Sequence, residues 1–112
     1  KQYIRVFLRQ YQTAQECPTC RGTKLKPEAL QVRVGGVSIA EVAALPVDRL
    51  SEWIDALALT DFEQQVAETV LKEARARIRF LCEVGLTYLS LNRATRTLSG
   101  GEAQRIGLAN SL

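Results

Sequence analysis

An uninterrupted helical pattern over residues 60–84 constrains the fold of this 112-residue chain more than any other feature. Apolar side chains recur there at three- and four-residue steps, and acidic residues lie early and arginines late, which matches the helix dipole. Thr60 or Asp61 is suited to begin the helix and Gly85 to end it. Its apolar stripe comprises Phe62, Val66, Val70, Ala74, Ile78 and Leu81. A single, mainly α-helical domain with a modest core is therefore expected.

Two further segments are typical of amphipathic helices. Residues 1–15 place apolar side chains at helical spacing around Arg5 and Arg9, and no N-cap residue precedes them, so we expect the chain to come from a longer protein. Residues 47–57 follow Pro46, which suits the first turn of a helix because its missing N–H costs nothing there. Their shared face comprises Val47, Leu50, Trp53 or Ile54, and Leu57.

A short hairpin is the only predicted β-structure. Apolar and polar residues alternate over Ala29–Val34, and Gly35 and Gly36 follow as a two-residue turn before the next apolar residues. Ser38 and Glu41 then have the spacing of a capping box, so a short helix is expected directly after the hairpin. The overall fold class is mainly α with a small β-hairpin.

Composition excludes several classes of protein. The chain has no histidine, so it contains no Ser-His or Cys-His catalytic pair and no imidazole metal ligand. No apolar run approaches the roughly 18 residues of a membrane span, and no signal peptide opens the chain, so we expect a cytoplasmic protein without membrane contact. The net charge is +3, but residues 1–33 hold seven basic side chains against two acidic ones. This basic end suits a polyanion such as DNA, although solvated surface charge explains it equally well.

Cys17 and Cys20 form a CxxC turn that offers half of a tetrahedral zinc site. Gly22 allows backbone N–H groups to approach the sulfur atoms. The third cysteine, Cys82, lies near the apolar side of the long predicted helix and is expected to pack in the core. The other ligands must then come from outside this chain, or the thiols bind no metal. A redox pair is the weakest alternative, because Gly22 and Pro27 disfavour the helix that such a motif needs.

The segment Leu98–Arg105 reads LSGGEAQR and places a serine and two glycines before a helical pattern. Uncovered backbone N–H groups and the positive end of the helix dipole would face outward together there, an arrangement that binds phosphate oxygens. Ser99 adds a hydroxyl donor, and the glycines allow close approach. On these grounds alone, an ordinary Ser N-cap is the more common explanation.

The string LSGGEAQRI resembles the signature motif of ABC-type ATPases, and its extended form is more specific than LSGGQ. Together with CPTCRGTKLKPEAL upstream and FLCEVGLTYLSLNRATRTLSGGEAQR, it resembles the UvrA family, the DNA-damage-recognising ATPases of the bacterial UvrABC excinuclease. The resemblance covers nearly the whole chain. Gly107 departs from it, because a basic residue is expected there in the principal repair protein; a UvrA-like paralogue, a class that includes drug-resistance proteins, is therefore the alternative.

The resemblance implies a role for each matching residue. Ser99 and Gly101 would contact the γ-phosphate of ATP held by the opposing nucleotide-binding unit, while Gly100 shapes the loop and Gln104 supports it. Cys17 and Cys20 would bind a structural zinc ion whose other ligands lie earlier in the parent protein. The candidates for contacts with the phosphate backbone of DNA, which the same reasoning also allows to be solvent-facing, are Arg21, Lys24 and Lys26.

The resemblance also implies an organisation and a set of partners. Residues 1–15 would leave a DNA-facing insertion region, residues 16–37 would form the cysteine knuckle and hairpin, and residues 38–112 the helical signature domain of the first ATPase half. The parent would use ATP with Mg²⁺ and structural zinc, form a homodimer, act on DNA in nucleotide excision repair, and work with a UvrB-like helicase.

The sequence lacks G-x-x-x-x-G-K-[ST] and the hydrophobic run ending in Asp-Glu, so we expect no ATP hydrolysis by this chain alone. Two other hypotheses remain open on the residues. One is a stand-alone zinc-bridged module that binds nucleic acid. The other is a helical interaction domain in which Ser99 is only a helix cap.

Overall fold

The computed structural model describes residues 2–13 and 15–109. In chain order they form helix α1 (Gln2–Arg9), a 3-10 helix (Pro27–Gln31), strands β1 (Arg33–Val34) and β2 (Val37–Ser38), and helices α2 (Ile39–Ala44), α3 (Val47–Asp55) and α4 (Asp61–Glu83). A second 3-10 helix (Thr95–Thr97) precedes helix α5 (Gly100–Ala109). The fold is thus mainly helical with a two-stranded hairpin, as predicted.

Local capping fixes where the helices begin. The Ser38 hydroxyl accepts the backbone N–H of Glu41 while the Glu41 carboxylate accepts the N–H of Ser38, which is a complete capping box at the start of α2. Thr60 and Glu63 form the same box at the start of α4. Gly85 follows α4 with a φ of +77°, in the left-handed region that favours glycine. These boundaries agree with the sequence-based predictions to within a residue.

The core forms between α3 and the C-terminal half of α4. Its buried residues are Val47, Leu50, Ile54, Ile78, Leu86 and Leu89. Cys82 packs against this core as a half-buried side chain, as predicted, and its burial raises the pKa of the thiol.

The connection from α4 to α5 is fastened to the junction of α2 and α3. The N–H of Val47 donates to the carbonyl of Leu89 at 2.8 Å, and Pro46 and Ser90 form an antiparallel bridge. Further along, the N–H of Asn92 donates to the carbonyl of Ala43 at 3.0 Å. Backbone pairing, rather than side-chain packing alone, therefore places the segment that leads into α5.

Two predictions of secondary structure differ from the structure. The helix expected over residues 1–15 ends at Arg9. The strand expected over Ala29–Val34 is shorter, because Pro27 opens a 3-10 helix that continues to Gln31. The hairpin turn at Gly35 and Gly36, with φ values of +57° and +82°, is confirmed.

The apolar stripe of α4 is buried only in its second half. Ile78 is 8% exposed, whereas Phe62, Val66 and Val70 are 74%, 69% and 69% exposed. The pattern correctly predicted the helix but not how much of it is covered by the described residues. Among those residues, no helix is both long and apolar enough to cross a membrane.

Candidate functional site

Ser99 begins α5 with a third capping box. Its hydroxyl accepts the N–H of Glu102 at 3.2 Å, and its own N–H donates to the Glu102 carboxylate at 2.8 Å. A helix start leaves four N–H groups without intrahelical partners, and this box satisfies the first and the last of them. The N–H groups of Gly100 and Gly101 remain, and neither has a hydrogen-bond partner among the described residues.

Neither glycine is required by the packing of the chain itself. A Cβ atom on Gly100 would meet nothing within 4 Å, and one on Gly101 would only approach the Arg105 guanidinium at 3.9 Å. Both residues are exposed, and neither adopts a positive φ. The two glycines therefore leave open space beside two free backbone donors, which is what close approach of an external ligand requires.

Glu102, in the first turn of α5, is buried, with 7% of its surface exposed. The Tyr88 hydroxyl donates to its carboxylate at 2.6 Å, and an Arg93 guanidinium nitrogen lies 3.5 Å from the same oxygen. The Tyr88 hydroxyl and the Ser99 N–H, with the Arg93 charge, hold the pKa of Glu102 below its usual value. The same hydrogen bond raises the pKa of Tyr88. Glu102 is thus a charged carboxylate whose lone pairs are occupied.

Two arginines connect α5 to the residues before it. Arg93 donates from Nε and Nη2 to the hydroxyl and carbonyl oxygens of Thr97, at 3.2 and 2.9 Å. Arg105 donates to the carbonyl of Val84 at 3.0 Å and to that of Gly101 at 3.2 Å. The loop that presents Ser99 is therefore held from both sides by guanidinium groups.

The structure places the predicted loop residues together, and Gln104 lies exposed in the following turn of α5. Sequence reasoning missed Tyr88, Arg93 and Glu102. The Ser-x-x-Glu spacing of the loop was a signal for Glu102, because it is the spelling of a capping box. No local pattern indicates Tyr88 or Arg93, since their contacts depend on the tertiary fold.

The cysteine turn is ordered by its own backbone. The N–H of Arg21 donates to the carbonyl of Cys17 at 2.8 Å, and both the N–H and the hydroxyl of Thr23 donate to the carbonyl of Cys20, at 2.9 and 2.8 Å. Arg21, Gly22 and Lys24 have φ values of +45°, +82° and +60°, so the chain curls tightly after the second cysteine.

The backbone N–H groups of Cys20 and Thr19 favour the thiolate form of Cys17 and so lower the pKa of its thiol. Cys17 is exposed and Cys20 half-buried. Within residues 2–13 and 15–109, no group of three or more Cys, Asp or Glu side chains has the placement of a metal site. The two thiols therefore supply at most two of the four ligands of a tetrahedral metal site.

The predicted backbone-contact residues separate into two groups. Arg21 and Lys24 line a cleft opposite the segment that precedes α5, whereas Lys26 does not line it and instead precedes the 3-10 helix that starts at Pro27. All three side chains are exposed. The cysteine turn and the residues before α5 thus face one another, although the chain separates them by some 70 positions.

The chain is similar in sequence to curated proteins that share one name. No protein-family model matches the chain. UvrABC system protein A of Methanothermobacter thermautotrophicus is 46% identical over 110 residues, covering 98% of this chain and 11% of that protein. UvrABC system protein A of Streptomyces coelicolor is 55% identical over 96 residues, covering 86% of this chain and 10% of that protein. The chain spans about a tenth of the length of these curated relatives.

A solved structure has the same fold. The crystal structure of UvrA2 from Deinococcus radiodurans matches 97% of this chain and 15% of its own, with a TM-score of 0.73 and 30% sequence identity. Sequence and backbone comparisons therefore agree over nearly the whole chain. The chain belongs to the UvrA family.

Proposed function

We propose that this chain is the signature-motif segment of an ATP-dependent DNA-damage-recognition protein of nucleotide excision repair. One observation carries the proposal: the capping box at the start of α5 leaves two backbone N–H groups without a hydrogen-bond partner in the part of the chain that the structure describes, and both belong to exposed glycines. The curated relatives are named UvrABC system protein A, which supports the assignment to repair.

The start of α5 is suited to contact the γ-phosphate of ATP. The Ser99 oxygen accepts the N–H of Glu102, so its own proton is free to donate to a phosphate oxygen. The N–H groups of Gly100 and Gly101 add two donors, and the dipole of the ten-residue helix adds partial positive charge. Gln104, one turn later, supports the loop. ATP would arrive with Mg²⁺ on the Walker A loop of the opposing nucleotide-binding unit.

The cysteine turn fits a structural zinc ion. Zinc binds thiolates, and the backbone N–H groups of Cys20 and Thr19 already favour the thiolate form of Cys17. Four ligands are needed for a closed site, so Cys17 and Cys20 would supply two and other parts of the protein the rest. When bound, zinc would fix the turn and orient the basic residues that follow it.

The wider cycle follows from these two sites. ATP enclosed between a Walker A loop and this loop would link nucleotide state to the shape of the DNA-binding face. The protein would act in the cytoplasm as a homodimer and transfer DNA to a UvrB-like helicase. Gly107, exposed on α5, favours a second candidate within the same family, namely a paralogue with a role in drug resistance.

The test is ATP turnover by the full-length protein with substitutions at the start of α5. Ser99→Ala and Gly101→Val each remove or obstruct a phosphate contact, and we expect kcat to fall by about 100-fold, as for other pre-organised donors. Nucleotide binding should persist, because the Walker A loop supplies most of it.

Gly107→Ala is the matched control, since Gly107 lies in the same helix and a Cβ there meets nothing within 4 Å. Its turnover should equal that of the unmodified protein. Unchanged turnover in both Ser99→Ala and Gly101→Val would reject the proposal and favour the simple helix cap.

A further inference from the structure

A cleft of about 960 Å³ lies between the cysteine turn and the residues before α5. Residues 21–25 form one wall and residues 91–96 the other, and α2 contributes its floor through Ile39, Ala40 and Ala43. The two small alanines leave the space open. The second wall is fastened to the floor by the hydrogen bond from the Asn92 N–H to the Ala43 carbonyl.

The cleft is positively charged on both walls. Arg21 and Lys24 line one wall and Arg93 and Arg96 the other, and none of the acidic residues that the structure describes lines the cleft. Within residues 2–13 and 15–109, no carboxylate forms an ion pair with Arg21, Lys24 or Arg96. Several cations that face one concave surface without counter-charges repel one another, so an anion in the cleft would relieve that repulsion.

The lining residues also define which part of an anionic ligand would enter. They include no Phe, Tyr or Trp, so there is no aromatic face on which a base could stack. Arginine, lysine and asparagine side chains are the groups that contact phosphate and sugar oxygens. The chemistry therefore fits a phosphodiester backbone and not the bases attached to it.

We propose that this cleft binds the sugar–phosphate backbone of a nucleic acid, with Arg96 and Arg93 contacting phosphates from the side opposite Arg21 and Lys24. The proposal rests on the proposed function for the class of ligand, and it adds the place and the residues. Lys26 lies outside the cleft and has no part in it.

Arg93 joins this cleft to the start of α5. The same side chain that lines the cleft pairs with Glu102 and donates to Thr97, and Glu102 in turn accepts the N–H of Ser99. A phosphate that draws the Arg93 guanidinium towards the cleft would weaken its contact with Glu102. A phosphate bound in the cleft would thereby change the contacts that hold the loop proposed to contact ATP.

The test measures how the full-length protein binds a labelled, undamaged DNA duplex as salt is raised from 50 to 200 mM. Removing one cation that neutralises a phosphate reduces the slope of log K against log salt by about 0.9. We therefore expect a reduction of about 0.9 in Arg96→Gln and of about 1.8 in Lys24→Gln/Arg96→Gln, which removes two such cations. The reduction should be the same for duplexes of different sequence.

Lys72→Gln is the matched control, because it removes one exposed positive charge from α4, away from the cleft. Its slope should equal that of the unmodified protein. An equal fall in Lys72→Gln and Arg96→Gln would show only a general charge effect and overturn the proposal. A raised KM for ATP in Arg96→Gln with an unchanged DNA slope would mean that the cleft serves a nucleotide, which also overturns it.

The outcomes separate this proposal from the proposed function. If Ser99→Ala lowers kcat by about 100-fold while both cleft variants bind DNA with the original slope, the proposed function stands and the cleft proposal fails. If the full-length protein shows no salt-dependent binding of DNA at all, the proposed function fails as well.

Discussion

The thiols of Cys17 and Cys82 have pKa values that are shifted in opposite directions, and the surroundings of each side chain explain why. Cys17 is exposed, and the backbone N–H groups of Cys20 and Thr19 lower the pKa of its thiol. Cys82 is half-buried against the core, which raises the pKa of its thiol. Since the thiolate is the reactive and metal-binding form, Cys17 is prepared for reaction and Cys82 is not.

Alkylation should follow this order. In chelator-treated protein at pH 7.5, we expect iodoacetamide to modify Cys17 well before Cys82, as measured by mass spectrometry of peptides over time. Adding zinc should protect Cys17 if it is a ligand and leave the rate at Cys82 unchanged. Faster modification of Cys82 than of Cys17 would contradict the assignment of the two environments.

Glu102 makes the start of α5 sensitive to acid. Its pKa in the folded protein lies below the usual 4.5, so ionised Glu102 contributes stability that is present above pH 4.5 and lost as pH falls through the folded value. Glu102→Gln keeps an acceptor oxygen for Ser99 but has no charge to titrate. We expect the difference in unfolding free energy between the two proteins to shrink between pH 6 and pH 3.

Urea unfolding at each pH would measure this difference. Glu68→Gln is a suitable control, because Glu68 is exposed on α4 and forms no ion pair among the described residues. A gap that stays constant from pH 6 to pH 3 in Glu102→Gln would show that the carboxylate charge does not stabilise the loop.

At the scale of elements, the sequence predicts where the helices begin. It does not predict which faces of the helices are buried. Ser38, Thr60 and Ser99 cap helices through hydrogen bonds that span three residues, so the sequence carries the whole signal. The strand predicted over Ala29–Val34 is reduced to Arg33–Val34, because a 3-10 helix that opens at Pro27 continues to Gln31. Burial depends on partners far along the chain, which periodicity does not report.

Helix α4 is the clearest case, and its two halves should respond differently to truncation. Ile78→Ala removes a buried side chain between α3 and α4, and we expect it to cost about 2–4 kcal/mol of unfolding free energy. Val66→Ala, on the same stripe but 69% exposed, should change stability by less than about 0.5 kcal/mol. Urea denaturation of both variants makes the comparison. Equal losses would mean that the exposed half is covered in the folded chain.

At the scale of the whole molecule, some residues of the candidate site can be recognised from sequence motifs, whereas others reach the site only through the tertiary fold. Ser99, Gly100, Gly101 and Cys17 stand in motifs that can be recognised from the chain itself. Arg93 reaches the same site only because residues 86–92 are fastened to the junction of α2 and α3 by backbone hydrogen bonds. Such long-range pairing brings residues 21–25, which follow the two cysteines, and residues 91–96, which precede α5, to one cleft, and no local pattern encodes it.

The same division leads to a prediction about activity. The chain presents donors for a γ-phosphate, but its sequence has no Walker A lysine and no paired carboxylates to hold Mg²⁺ and orient water. Donors at one end of a phosphate chain do not neutralise the charge that develops during transfer, so this chain alone should release no phosphate from ATP above the buffer rate. The measurement is phosphate release by the purified 112-residue chain, with its Ser99→Ala variant prepared in parallel to reveal contaminating ATPase. Release that is equal in both samples comes from a contaminant, whereas release that disappears in Ser99→Ala would show that these residues hydrolyse ATP without a Walker loop and would refute the proposed division of labour.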